Sequence, residues 1–389
     1  MRSILFLLTF LSLAASCQTK EATTDEITVG AAHFNLYLPL LKGKNVALVI
    51  NQTSMLGNTH LVDTLLSQGV SIKKIFAPEH GFRGVADAGE HVADGIDSKT
   101  RLPIISLYGK HKKPTIEDLN NIDVVIFDIQ DVGVRFYTYI STMHYVMEVC
   151  AEQNKKFIVL DRPNPNGQYI AGPVLDLAYQ SFVGMHPIPI VHGLTVGELA
   201  QMINGEKWLK NGIQCDLQVV KVMGYSHQSN YTLPIKPSPN LPNQRSILLY
   251  PSLCLLEPTI MSIGRGTDSP FQIIGFPDSS YGDFTFTPVS IEGASKYPKH
   301  ENKKCYGEDL RELPTNTSFS ISWLLHYYQK NPGDSFFTSP DFFDKLAGNG
   351  TLREQIKNGT SQQEIENSWD AGIKDYKRMS ANYRLYTYD

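Results

Sequence analysis

Short, nearly continuous apolar runs recur through the first half of the chain. Asn45 to Ile50, Ile72 to Ala77, Leu102 to Leu107, Ile122 to Asp128 and Lys156 to Asp161 each have the length of a strand. The fourth (IDVVIFD) is β-branched and almost uninterrupted, as a strand covered on both faces should be. Between the runs, apolar residues fall at helical spacing. Residues 59–68 place Leu61, Leu65 and Leu66 together before Gly69 stops the helix, and 142–153 predicts another. Strand and helix alternate, so the expected fold is α/β, a Rossmann-like, doubly wound, mostly parallel sheet. Thr195 and Glu198 form a capping box for a helix ending near Gly205, and 217–223 reads as a further strand. Beyond about residue 268 turns multiply. There, 318–328 predicts a helix, and 362–378 predicts one continuous helix with Ile365, Trp369, Ile373 and Tyr376 on one stripe. The expected layout is a main domain over 31–267 and a smaller C-terminal α+β auxiliary domain over 268–389.

The first thirty residues follow a different pattern. A basic start (Met1-Arg2-Ser3), an apolar run from Ile4 to Ala15, and small residues before Cys17 read as an export signal over 1–16. The arrangement resembles a bacterial lipoprotein signal, with Cys17 lipidated and 17–30 a polar tether; a plainly cleaved signal peptide is the alternative. The expected location is therefore the cell envelope, periplasm-facing or on the outer membrane, with membrane contact only through the lipid.

Composition narrows the function classes. The 389 residues are 42% hydrophobic, enough for a large core, and 35 basic against 39 acidic residues form no long run of either sign. That balance lacks the dense basic footprint of a nucleic-acid binder. The first strand runs into Asn-Gln-Thr, with no G-x-G-x-x-G and no P-loop, so neither a dinucleotide nor ATP is expected. The four cysteines after Cys17 form no CxxC or Cys/His cluster, so no metal site is expected, and the apolar surroundings of Cys150 and Cys254 favour free buried thiols. Polar residues gather at the strand ends: Asn51, Gln52 and Thr53; Glu79 and His80; Asp128, Gln130 and Asp131; Asp161, Arg162 and Asn164. In open α/β sheets ligands bind at the carboxyl ends of strands, so these clusters should share one cleft. Helix capping is the bland use of any one of them.

Several blocks together resemble the exo-β-N-acetylmuramidase family of glycosidases, formerly a domain of unknown function. They are Asn51-Gln52-Thr53, the 78–84 run PEHGFRG with Ala88-Gly89-Glu90, Ser106-Leu107-Tyr108-Gly109, and the 127–133 run FDIQDVG with Arg135-Phe136-Tyr137-Thr138-Tyr139. The 160–165 run LDRPNP, Gly172-Pro173-Val174-Leu175, Phe182-Val183-Gly184, His192-Gly193, Gly197-Glu198 and Gly264-Arg265-Gly266-Thr267 continue the series in order. The resemblance implies a Rossmann-like catalytic domain joined to an auxiliary domain, with the cleft near their junction. It also implies release of N-acetylmuramic acid from the non-reducing ends of peptidoglycan fragments without metal or nucleotide. One departure is Ala171, where relatives carry an acid.

Glycoside hydrolysis needs an acid for the leaving oxygen and a second group for water or C1. Glu79 is the first choice as acid. Asp128 and Asp131 are the candidates for the second group, with Glu90 behind them and substrate assistance by the 2-acetamido group open. Arg135, Arg162 and Arg265, then Arg83, are candidates for the lactyl carboxylate of muramic acid, which a guanidinium can bind bidentately. Asn51, Thr53, His80, Tyr137, Tyr139, Asn164 and His192 complete the expected sugar pocket. The rival readings are a muropeptide-binding lipoprotein without turnover and a hydrolase of another N-acetylhexosamine.

Overall fold

The computed structural model describes residues 26–79, 81–82, 94–314 and 318–388. Its first elements are α1 (Phe34–Leu41), β1 (Asn45–Ile50), a two-residue hairpin of β2 (Met55–Leu56) and β3 (Thr59–His60), and α2 (Leu61–Ser67). There follow β4 (Ser71–Ala77), β5 (Gly95–Ile96), β6 (Pro103–Ser106), β7 (Val124–Asp128), α3 (Tyr139–Glu152), β8 (Lys156–Leu160), α4 (Val196–Gly205) and β9 (Asp216–Val220). Seven strands form one sheet in the order β5-β6-β4-β1-β7-β8-β9, parallel throughout except for the short antiparallel β5 edge. This is the expected doubly wound α/β sheet. The chain steps outward from β1 to β4 and β6, then returns to the other side of β1 for β7, β8 and β9.

The apolar runs are continuous because both faces are covered. In β1, Val46, Leu48 and Ile50 join the core under α1 and α2, whereas Ala47 and Val49 join the opposite core with α3 and α4. β7 and β8 alternate in the same way, with Val124, Ile126, Ile158 and Leu160 on one side and Val125, Phe127, Phe157 and Val159 on the other. The Thr195–Glu198 capping box is present, and both residues are fully buried.

After α5 (Gln244–Leu253) come three short antiparallel strands, β10 (Ile273–Phe276), β11 (Phe284–Phe286) and β12 (Cys305–Asp309), in the order β10-β12-β11. Five helices close the chain: α6 (Ser322–Lys330), α7 (Pro340–Ala347), α8 (Thr351–Lys357), α9 (Gln362–Asn367) and α10 (Asp370–Ser380). This α+β part shares a core with the sheet, since Tyr250, Phe271, Tyr327 and Tyr376 cluster with Phe127 and Met143. The single helix expected over 362–378 is two. Ser368 bonds back to the Ile365 carbonyl through Oγ, and the chain turns at Trp369 before α10 begins. Cys150, Cys215, Cys254 and Cys305 are buried free thiols.

Candidate active site

A cleft of about 940 Å³ opens where the two parts meet. One wall comes from the carboxyl ends of β4 and β6 and from the β7–α3 loop, which supply Glu79, Tyr108, Lys112, Phe136 and Thr138. The other comes from the C-terminal part, with Tyr250, Glu257, Arg265, Lys296, Tyr297 and Phe342. A side lobe of about 70 Å³ brings Glu79, Tyr137 and Thr138 against Arg265 and Phe271.

Glu79 is half-buried directly after β4. Its Oε1 accepts from the Tyr108 hydroxyl and its Oε2 from Thr138 Oγ1, both at 2.9 Å. Burial, then the adjacent Glu79, push the Tyr108 phenol well above its ordinary range, so it remains a donor at any working pH. Thr138 faces the cleft while its neighbours turn beneath it. Tyr137 bonds the Pro237 carbonyl at 2.7 Å, and the Tyr139 hydroxyl lies 3.5 Å from both that oxygen and the Glu79 carbonyl. The two rings meet edge to face, 4.9 Å apart, as a floor under the acid.

Arg265 enters from the opposite wall. It stands between Gly264 (φ +79) and Gly266 (φ +80), two left-handed glycines at which a Cβ would lie 2.5 Å from Ile273 Cγ1 and 2.6 Å from Pro298 Cβ, respectively. That backbone presents the guanidinium over Phe271, at 5.0 Å from the ring centroid. Its Nε is tied to Glu257 Oε1. Burial opposes the charge of Arg265, and Glu257 outweighs it, raising the pKa.

The other strand-end clusters do converge, but on one another. Asn51 Oδ1 accepts from Thr53 N and Oγ1 at 2.9 and 2.6 Å, Thr53 Oγ1 accepts from Gln130 N at 3.0 Å, and Ser54 bonds the Asp128 carbonyl. These bonds tie the β1 loop to the β7 loop and fill the crevice where the strand order reverses. Asn51 and Thr53 are therefore buried loop anchors, away from the cleft lining. Asp128 is fully buried and holds Arg162 through Nε at 2.6 Å and Nη2 at 2.9 Å, so both expected roles are corrected to one internal ion pair. Asp131 is 4% exposed, accepts from Gly133 N at 2.7 Å and lies 3.7 Å from His192 Nε2. His192 is fully buried, its Nδ1 accepting from Leu194 N, and Asn164 braces the same turn by donating to the Leu194 carbonyl. Neither these two nor Asp131 lines the cleft.

Arg135 departs furthest from expectation. It is fully buried and donates to four carbonyls: Pro173 and Ile188 in the sheet domain, and Leu346 and Ala347 at the end of α7. It joins the two parts of the chain, and burial lowers its pKa to about 9. Ala171 sits in a backbone bridge with Val191, outside the cleft lining. Cys17, His80, Arg83 and Glu90 lie outside the described residues. Glu257, Lys112 and Lys296 were not anticipated; Glu257 belongs to no motif, and only the fold brings it opposite Glu79.

A doubly wound sheet with a carboxylate at a strand end and an arginine in the same aromatic-lined cleft defines an α/β protein with the groups that acid-assisted cleavage of a sugar bond uses. Two family profiles match the chain in succession: the N-terminal domain of the exo-β-N-acetylmuramidase NamZ over 46–245 and its C-terminal domain over 248–386. The chain belongs to this family. It is 40% identical to the peptidoglycan β-N-acetylmuramidase NamZ of Bacillus subtilis, over 97% of this chain and 96% of that one. Two solved structures of a domain-of-unknown-function family from Bacteroides fragilis superpose with TM-scores of 0.86 and 0.81, at 45% and 32% identity. Each comparison covers 93% of this chain and 99% of the other.

Proposed function

We propose that this protein is an exo-acting β-N-acetylmuramidase that releases N-acetylmuramic acid from the non-reducing ends of peptidoglycan fragments during cell-wall turnover. One observation carries the reading: both halves match the family, and the cleft between them holds Glu79 with a hydroxyl donor on each carboxyl oxygen. Glu79 protonates the glycosidic oxygen as the C1–O bond breaks. Tyr108 and Thr138 hold its carboxyl group in one orientation. Arg265, anchored through Nε, keeps its two terminal nitrogens for the lactyl carboxylate, the group that separates muramic acid from glucosamine. Export and a lipid on Cys17 belong to the same proposal and rest on the sequence alone; fatty-acid labelling should disappear in Cys17→Ala.

The test is a substrate panel with soluble protein starting after Cys17. The reading expects turnover of aryl β-N-acetylmuraminide and of a disaccharide with muramic acid at its non-reducing end, with the N-acetylglucosaminide far slower. Binding without turnover would point to a muropeptide receptor, and preference for glucosaminide would reassign the sugar.

A further inference from the structure

Glycoside hydrolysis needs a second group at C1, and the sequence offered Asp128 and Asp131, with Glu90, which lies outside the described residues, behind them. The fold withdraws both, Asp128 into its ion pair with Arg162 and Asp131 beneath the β7 turn. Among the described residues lining the cleft, the carboxylates are Glu79 and Glu257. They stand on opposite walls, one from each half of the chain.

We infer that Glu257 is the second catalytic carboxylate, so that the active site is completed by the C-terminal part. This rests on the muramidase reading and on Glu79 as the acid. The backbone around Glu257 is fixed: its N–H bonds the Cys254 carbonyl at 3.1 Å, and its own carbonyl accepts from Lys299 Nζ at 2.8 Å. Lys299 also grips the Thr259 carbonyl, which staples the turn that carries the acid. Oε1 takes the Arg265 Nε–H, and the side chain is 22% exposed. Arg265 compensates the charge that Glu257 must carry before reaction, while Tyr108 and Thr138 each donate to one Glu79 oxygen and fix the orientation of its carboxyl group.

The electron accounting closes in either geometry. Glu79 gives its proton to the glycosidic oxygen, which keeps the C1–O electron pair and leaves as an alcohol. In direct attack a Glu257 oxygen bonds C1. Water, deprotonated by Glu79, then displaces that oxygen, restoring the Glu257 carboxylate and the protonated acid. With a water between them, Glu257 takes the water's proton as the water oxygen bonds C1. In both, Glu257 works on the face of C1 opposite the leaving group.

The experiment compares Glu257→Ala, Glu257→Gln and Arg265→Ala on an activated aryl β-N-acetylmuraminide, with and without sodium azide, after thermal melting confirms the fold of each. The inference expects kcat to fall about 10²- to 10⁴-fold in both Glu257 variants with KM little changed. Azide should restore turnover in Glu257→Ala and yield the α-glycosyl azide. A rise in KM matching that of Arg265→Ala, without azide rescue, would reduce Glu257 to a positioning residue for the arginine and overturn the inference. Wild-type kcat in Glu257→Gln would overturn it as well. Both of those results leave the muramidase reading standing, since the unsubstituted enzyme is active; that reading fails only if the wild type turns over no muraminide.

Discussion

Replacing Arg162 by Met tests whether the strand-end polar residues serve the substrate or the fold. The side chains of Arg162 and Asp128 are 4% and 0% exposed, joined by charge-assisted bonds of 2.6 and 2.9 Å. Burial acts against the arginine's charge, and Asp128 more than offsets it, raising the pKa. Met fills much of the same volume but strands the carboxylate in a fully buried site. Breaking a buried pair from one side costs about 3–5 kcal/mol, a large share of the stability of an ordinary domain. Removing both charges, as in Asp128→Asn with Arg162→Met, should recover most of that loss, because the penalty lies in the unpaired charge. Urea unfolding followed by tryptophan fluorescence, on both variants and on Asp128→Asn alone, gives the cycle. Muraminide KM, measured well below the transition, should stay within about twofold of wild type. A fully stable Arg162→Met protein whose KM rises tenfold or more would refute the reasoning and return Arg162 to the sugar pocket.

Thr138→Val and Tyr108→Phe each remove one hydrogen bond to Glu79, worth about 1 kcal/mol, so kcat on a disaccharide substrate should fall about fivefold with KM nearly constant. Arg265→Ala should lower kcat/KM for muraminide by about 10- to 100-fold more than for glucosaminide, since hydrogen bonds to charged groups are worth about 1.5–3 kcal/mol and only muraminide carries the lactyl carboxylate. Burial pushes the Asp161 carboxyl up to about 6 from an ordinary 3.8, despite hydrogen bonds from Tyr386 and Thr195. The folded state therefore binds this proton more tightly than the unfolded chain. The contribution is complete below about pH 4 and declines by about 3 kcal/mol as pH rises through about 6. In denaturant titrations from pH 4 to 7, Asp161→Asn should accordingly gain on wild type as pH rises; a constant difference would contradict the assignment.

The sheet was legible because strands covered on both faces must be apolar along their buried length, and 46–50 of β1, 124–127 of β7 and 157–160 of β8 are. The Thr195–Glu198 box was legible because a capping box is local chemistry. The C-terminal strands were not. β10 and β12 carry Gly275 and Gly307, each packed against neighbouring backbone, so their register follows from close approach and leaves no alternating pattern. In the site, Glu79 and Arg265 stood in distinctive runs and do face the cleft. Arg135 and Arg162 stood in equally distinctive runs, but their partners, four carbonyls and one aspartate, are set by tertiary contacts that spacing does not encode. A signature run therefore marked residues the architecture depends on, with no distinction between those that line the cleft and those that hold the loops. Glu257 shows the converse, a residue in no motif that the meeting of the two halves places in the cleft.

The central claim is that Glu79 delivers the proton to the leaving group, and the sensitivity of Glu79→Ala to leaving-group quality tests it most directly. On the natural disaccharide, whose sugar alkoxide is a poor leaving group, kcat/KM should fall about 10²- to 10⁴-fold. On a dinitrophenyl β-N-acetylmuraminide, which departs without protonation, the loss should be slight. An equal loss on both substrates, or none on either, in a variant that melts like wild type would remove Glu79 from the chemistry.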